Sequence, residues 1–147
     1  MSSNSQEAVR ATGGCLCGAV RYEVRGPLRD IINCHCSKCR RFHGHTGAYT
    51  SVRREHLALV KQDGLKWFRS VTDETPNVHR GFCRECGASL FWDPRGSGVN
   101  IAVAAGSLDV PAGLRTLGHV WVSQKADYYD ITDGLPQFEQ SHGGRLS

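Results

Sequence analysis

The chain is poor in the residues that build a large apolar core. Leu, Ile, Val and Phe together make 32 of its 147 residues, close to the share of roughly 20% below which chains tend towards disorder. No apolar stretch approaches the ~18 residues of a membrane-spanning helix, which excludes a helical membrane protein. Heptad runs and collagen-like repeats are absent too, so coiled-coil and fibrous architectures are excluded. The opening residues Met1–Glu7 lack the basic and apolar regions of a secretory signal, and the expected location is the cytoplasm. The length suits one domain, because two cores would leave each half under about 75 residues. What the chain does have is cysteine, seven in all. In a reducing compartment cysteines more often bind metal or react than form structural disulfides, and an odd number cannot all pair within one chain.

Residues 1–12 and 140–147 are polar and aperiodic and read as flexible tails around one domain over 13–139. Within that domain, period two is commoner than period 3.6. In 19–25, Val20, Tyr22 and Val24 alternate with Arg21, Glu23 and Arg25, the pattern of a half-buried strand. Comparable runs fall at 30–34, 48–52, 65–68, 78–82, 88–92, 99–105 and 118–122, separated by turn-forming stretches such as Arg25-Gly-Pro, Gln62-Asp-Gly and 93–98. Only 53–60 and 108–114 leave room for a helical turn or two. Eight closely spaced strands predict a mainly β fold with antiparallel sheets.

The cysteines fall into three groups: Cys15 and Cys17; Cys34, Cys36 and Cys39; Cys83 and Cys86. Cys83-Arg-Glu-Cys86-Gly87 has the form of a metal knuckle, in which backbone N–H groups point at both sulfurs and the glycine permits the tight turn. A redox reading of Cys36–Cys39 or Cys83–Cys86 would need a βαβ context, which the pattern lacks. Seven divides into four plus three. Cys34, Cys36 and Cys39 lie within six residues and can reach one metal, leaving Cys15 and Cys17 to join Cys83 and Cys86. A closed set of four is structural, whereas three ligands leave a position for water or substrate. The alternative is that His43 or His45 closes the second site. His35, between two cysteines, points away in an extended segment. His119 sits in a predicted strand beside Trp121 and reads as a packed histidine, while His56, His79 and His142 carry no signal.

Three thiolates blunt the Lewis acidity of a zinc ion, but an incoming thiol would still lose its proton on binding. Such a site suits holding a substrate thiolate before an electrophile. Lys38, Arg40 and Arg41, with Arg53 and Arg54 beyond them, offer either a cationic rim for an anionic thiol or an ordinary solvated face. Trp67, Phe68, Phe91, Trp92 and Trp121 read as core; Phe42 and Tyr49 flank the three-cysteine segment and could serve core or site.

These residues resemble the glutathione-dependent formaldehyde-activating enzymes and their centromere-protein-V relatives. The likeness runs through Gly13-Gly-Cys-Leu-Cys-Gly-Ala-Val-Arg-Tyr22, Cys34-His-Cys-Ser-Lys-Cys-Arg-Arg41 and Phe82-Cys-Arg-Glu-Cys-Gly87. It continues in Ala104-Ala-Gly-Ser-Leu-Asp109, Gly118-His-Val-Trp121, Lys125 and Asp133-Gly-Leu-Pro-Gln-Phe138. The resemblance implies an Mss4-like fold, antiparallel sheets around a zinc-stapled centre. It implies two Zn2+ per chain: a structural one on Cys15, Cys17, Cys83 and Cys86, and a catalytic one on Cys34, Cys36 and Cys39. The implied activity is that of a carbon–sulfur lyase combining glutathione, or a similar thiol, with formaldehyde. Tyr128 and Tyr129 stand where the family tends to place a tryptophan after the lysine matching Lys125.

His43, His45 and Asp109 are candidates for a general acid, though Asp109 could instead cap the turn before Pro111. The alternative to an enzyme is a thiol carrier, or a zinc-binding module that contacts protein or nucleic acid. The pI near 8.8 favours the nucleic-acid version, but the basic residues are scattered rather than gathered in a stripe. Seven thiolates with two Zn2+ would also bring the formal +4 down to near +1, by about −7 and +4. Nucleic acid is therefore not the expected partner.

Overall fold

Alternating burial is clearest in Arg21–Val24, where Tyr22 and Val24 are buried and Arg21 and Glu23 half-buried. The structure, a computed structural model, describes residues 8–73 and 75–146; the first part of the expected N-terminal tail, residues 1–7, lies outside the described residues. In chain order the strands are β1 (Ala11–Gly14), β2 (Arg21–Val24), β3 (Ile31–Cys34), β4 (Gly47–Arg53) and β5 (Leu57–Lys61). Then follow β6 (Leu65–Ser70), β7 (Val78–Cys83), β8 (Ser89–Pro94), β9 (Asn100–Ala104) and β10 (Thr116–Val120). One short helix, α1 (Ser37–His43), separates β3 from β4. The fold is mainly β, and no described helix is long and apolar enough to cross a membrane.

The chain divides into two compact units: the described residues up to Leu28 with Ser51–Gly113, and Arg29–Thr50 with the described residues from Leu114 on. In the first unit, β2 lies between β1 and β5 in an antiparallel sheet, Gly13 opposite Tyr22 and Val24 opposite Leu57. The strands β9, β8, β7 and β6 follow one another antiparallel in that order. Tyr22, Val20, Val24, Leu90, Phe91 and Val103 are among its most deeply buried side chains. Phe68 departs from the expected core and is 58% exposed. Period two is the reason: Trp67 stacks on Phe91 at 5.8 Å between ring centres, so its neighbour must face the other side of β6.

Residues 53–60 hold a single 3-10 turn at Arg54–His56 and then β5, not the expected helical turns. Residues 108–114 likewise hold no helix; Leu108 bridges to Gly13. β1 takes in Ala11 and Thr12, residues assigned from sequence to a tail. Tyr22 ties the end of this region together, since its hydroxyl lies 2.6 Å from Ser107 Oγ, which itself donates to the Ala104 carbonyl at 2.7 Å. Tyr22→Phe leaves that oxygen without its donor and is expected to lower stability by about 1 kcal/mol, measured as a shift of the urea midpoint at constant slope.

In the second unit, β3 lies between β4 and β10. β10 runs parallel to β3, a departure from antiparallel sheets, with Val120 opposite Cys34. No hairpin joins the two strands, so nothing local forces them to run in opposite senses. Residues 136–140 lie along β10, with His119 N–H donating to the Pro136 carbonyl and Trp121 N–H to that of Gln140, both at 2.9 Å. Leu146 packs with Ile32 and Val120, so the C-terminal stretch read as a tail contributes to this core.

Candidate metal centre

Two groups of cysteines converge, each inside one unit. Cys15 and Cys17 lie in the turn from β1 to β2, and Cys83 and Cys86 at the turn from β7 to β8. Their four sulfurs lie within 4.8 Å of one another. Cys17 Sγ is 3.7 Å from both Cys15 Sγ and Cys83 Sγ. A tetrahedral site with metal–sulfur bonds of about 2.3 Å places its sulfurs about 3.8 Å apart, whereas a disulfide brings them to about 2.05 Å. The observed separations fit the metal set. Gly87 has φ +79°, the left-handed conformation expected of the residue after the knuckle; its N–H donates to the Cys83 carbonyl at 2.7 Å. Val20 N–H donates to Cys15 Sγ at 3.2 Å. The Ala88 N–H holds the Cys86 thiol down to about 6, while against the Ala19 N–H, burial and the neighbouring cysteine sulfurs push that of Cys17 up to about 11.

Cys34, Cys36 and Cys39 also hold their sulfurs within 4.8 Å of one another. The local fold explains how six residues achieve this. Cys34 ends β3; Cys36 is the N-cap of α1, its sulfur accepting the Cys39 N–H at 3.4 Å; Cys39 sits in the first helical turn. Gly44 ends the helix with φ +85° and an N–H to the Arg40 carbonyl. Hydrogen bonds from Cys34 and Cys39 hold the Cys36 thiol well down, against the effect of burial. The same bonds push Cys34 up. One thiolate shared among three sulfurs is a donor set ready to exchange its remaining protons for a cation.

Among the described residues no histidine nitrogen joins either group. His43 Nε2 lies 2.5 Å from the Tyr49 hydroxyl, and His45 Nδ1 lies 2.8 Å from that of Tyr128. His45 also meets Tyr129 edge-on. His35, on the register of β3, stacks near Tyr129 and bonds His119. Burial pushes its ring down to about 4, helped by His119, His45 and Lys125. His119 is a packed histidine as expected, 1% exposed.

Of the suggested cationic rim, Arg53 pairs with Glu55 and Arg54 with Asp93, both at 2.7 Å. That leaves Lys38, Arg40 and Arg41 on α1; the Nε of Arg40 is buried without a hydrogen-bond partner. Asp109 accepts from Arg21 at 2.5 Å and from Thr12 at 2.6 Å, and these bonds lower its carboxyl further. A carboxylate held ionised has no proton to give, so these contacts do not support Asp109 as a general acid. Sequence reasoning found every cysteine but missed Asp133, which accepts from His119; the signal available was only its place in the 133–138 motif.

Comparison with known proteins gives a consistent result. The profile described as glutathione-dependent formaldehyde-activating enzyme matches residues 10–124. A Halomonas elongata protein, provisionally named a glutathione-dependent formaldehyde-activating enzyme, is 30% identical over 125 residues, 81% of this chain and 79% of its own. A crystal structure of a Rhodobacter sphaeroides protein superposes with TM-score 0.54 at 30% identity, covering 71% of this chain and 97% of that one.

Proposed function

The chain belongs to the glutathione-dependent formaldehyde-activating enzyme family, and on that premise we propose that it is a zinc-dependent carbon–sulfur lyase. It would join a thiol, glutathione or one like it, to an aldehyde such as formaldehyde, or catalyse the reverse. The observation that carries this reading is the three-cysteine set: three convergent sulfurs and, among the described residues, no histidine that joins them. Cys15, Cys17, Cys83 and Cys86 would hold a structural zinc, and Cys34, Cys36 and Cys39 a catalytic one. When bound there, zinc supplies the Lewis acidity that keeps a substrate thiol ionised at neutral pH.

The chain's own residues set the surroundings. α1 brings Lys38, Arg40 and Arg41 to the three-cysteine segment, which favours an anionic thiol over a neutral one. His45 and Tyr128, bonded to each other, and Tyr129 form an aromatic wall in the same unit. In the forward reaction the sulfur–carbon bond forms, the carbonyl π bond becomes a C–O single bond, and the thiol proton ends on that oxygen. Seven unbridged cysteines suit a reducing compartment, which supports action in the cytoplasm.

The test is exchange NMR with isotope-labelled formaldehyde and glutathione. The zinc-loaded protein at micromolar concentration is expected to speed formation of the hydroxymethyl thioether above the spontaneous rate. No acceleration would overturn formaldehyde as the substrate.

A further inference from the structure

The second unit contains a polar chain, buried at its two histidines and open to solvent at Asp133, that the lyase reading leaves unused. Asp133 Oδ2 lies 2.7 Å from His119 Nε2, and His119 Nδ1 lies 2.9 Å from His35 Nε2. His35 and His119 are 2% and 1% exposed. The backbone is tied at the same place: His35 N–H donates to the Val120 carbonyl at 3.0 Å, next to His119. His35 is therefore pinned by main chain and ring together, and it is the residue between Cys34 and Cys36.

Hydrogen-bond direction follows from the far end. An ionised Asp133 only accepts, so His119 Nε2 carries its proton and donates. With one proton on the His119 ring, already placed on Nε2, its Nδ1 accepts. His35 Nε2 then donates, and its proton cannot sit on Nδ1. Each bond dictates the next.

We propose that Asp133, acting through His119, fixes His35 in one tautomer and one orientation, and so positions Cys34 and Cys36 to bind a metal ion. Asp133 and His119 are positioning residues; neither belongs to the set of convergent sulfurs. The proposal rests on the metal-binding part of the reading above. Partners of this kind, one bond removed from the ligands, hold them in place, and their loss costs about 10–100-fold in metal affinity or activity.

Asp133→Asn makes the chain testable. Asp133 Oδ1 accepts the Leu135 N–H at 3.0 Å while Oδ2 accepts from His119. Asparagine has one oxygen for those two donors. The backbone N–H cannot change its nature but an imidazole can, so the oxygen stays with Leu135 and the amide NH2 turns to His119. Nε2 of His119 becomes the acceptor, and both rings reverse.

Two measurements on the full chain read this out. Nitrogen-15 spectra of the histidine rings are expected to show the protons of His35 and His119 moving to the opposite nitrogens in Asp133→Asn. Titration of the zinc-loaded protein with a chelator is expected to show one of two release steps shifted by about tenfold. The other step, from the four-cysteine set, which shares no residue with the chain, stays in place. Unchanged tautomers, a wild-type His119 protonated on both nitrogens, two steps that shift together, or no shift at all would each overturn the proposal. Turnover enters neither readout. A wild-type protein that fails to accelerate adduct formation therefore counts against the lyase reading and not against this one.

Discussion

Cys83→Ala is expected to cost this protein most of its folding stability, at least about 4–5 kcal/mol, a size reached only when a buried network or metal ligand is lost. Cys83 is fully buried, and its sulfur stands 3.7 Å from that of Cys17, 66 residues away in sequence. The four-cysteine set thus closes a long loop in a chain with few aliphatic residues to close it by packing. Structural zinc sites supply about 10–16 kcal/mol of apparent binding free energy at neutral pH, comparable with the roughly 5–15 kcal/mol by which whole domains are stable. The methyl of alanine fills only part of the space and binds no metal. Urea unfolding followed by far-ultraviolet circular dichroism measures the loss, and chelation of the wild type is expected to give the same unfolded spectrum. A Cys83→Ala variant within about 1 kcal/mol of wild type would mean that packing alone holds the two turns together, against the role given to this set.

The distinction between what spacing reveals and what it hides runs through both centres. The cysteine groups were legible because ligand spacing is local: two residues between Cys83 and Cys86, one between Cys15 and Cys17. Strands such as β2 and β7 were legible because period two is also local. α1 was not, since Ser37–His43 is Ser-Lys-Cys-Arg-Arg-Phe-His and carries no apolar stripe. Its start is set by the Cys36 sulfur acting as a cap, a role usually taken by Ser, Thr, Asp or Asn. β5 was hidden for the opposite reason: Leu57–Lys61 is strand only because β2 offers it an edge, an example of tertiary pairing overriding local preference. The link between His35 and His119 spans 84 positions, and no pattern along the chain could disclose it. Phe68 shows the limit of composition, where a large aromatic in a strand faces out because its neighbour Trp67 already faces in.

The three-cysteine set calls for a different experiment, because its first alanine variant would mix two effects. Cys36 is both a proposed ligand and the cap of α1. Cys36→Ala removes the thiolate and the cap together, and loss of a cap alone costs about 0.5–2 kcal/mol. Cys36→Ser separates them. Its hydroxyl can still accept the Cys39 N–H, so the helix keeps its start, but a neutral hydroxyl is a far weaker zinc ligand than a thiolate. Both variants are expected to lose the catalysed joining of glutathione and formaldehyde by at least about a hundredfold, the upper part of the range for damage to a metal site. Both lose whatever stability the second ion supplies, and Cys36→Ala should unfold earlier than Cys36→Ser by about 1 kcal/mol because it also loses the cap. Zinc content checks the cause: one ion per chain retained in either variant against two in the wild type. Cys36→Ser that keeps more than about a tenth of the wild-type acceleration would place the chemistry somewhere other than this set. Cys36→Ser with two ions bound and no activity would show instead that the sulfur does more than hold the metal.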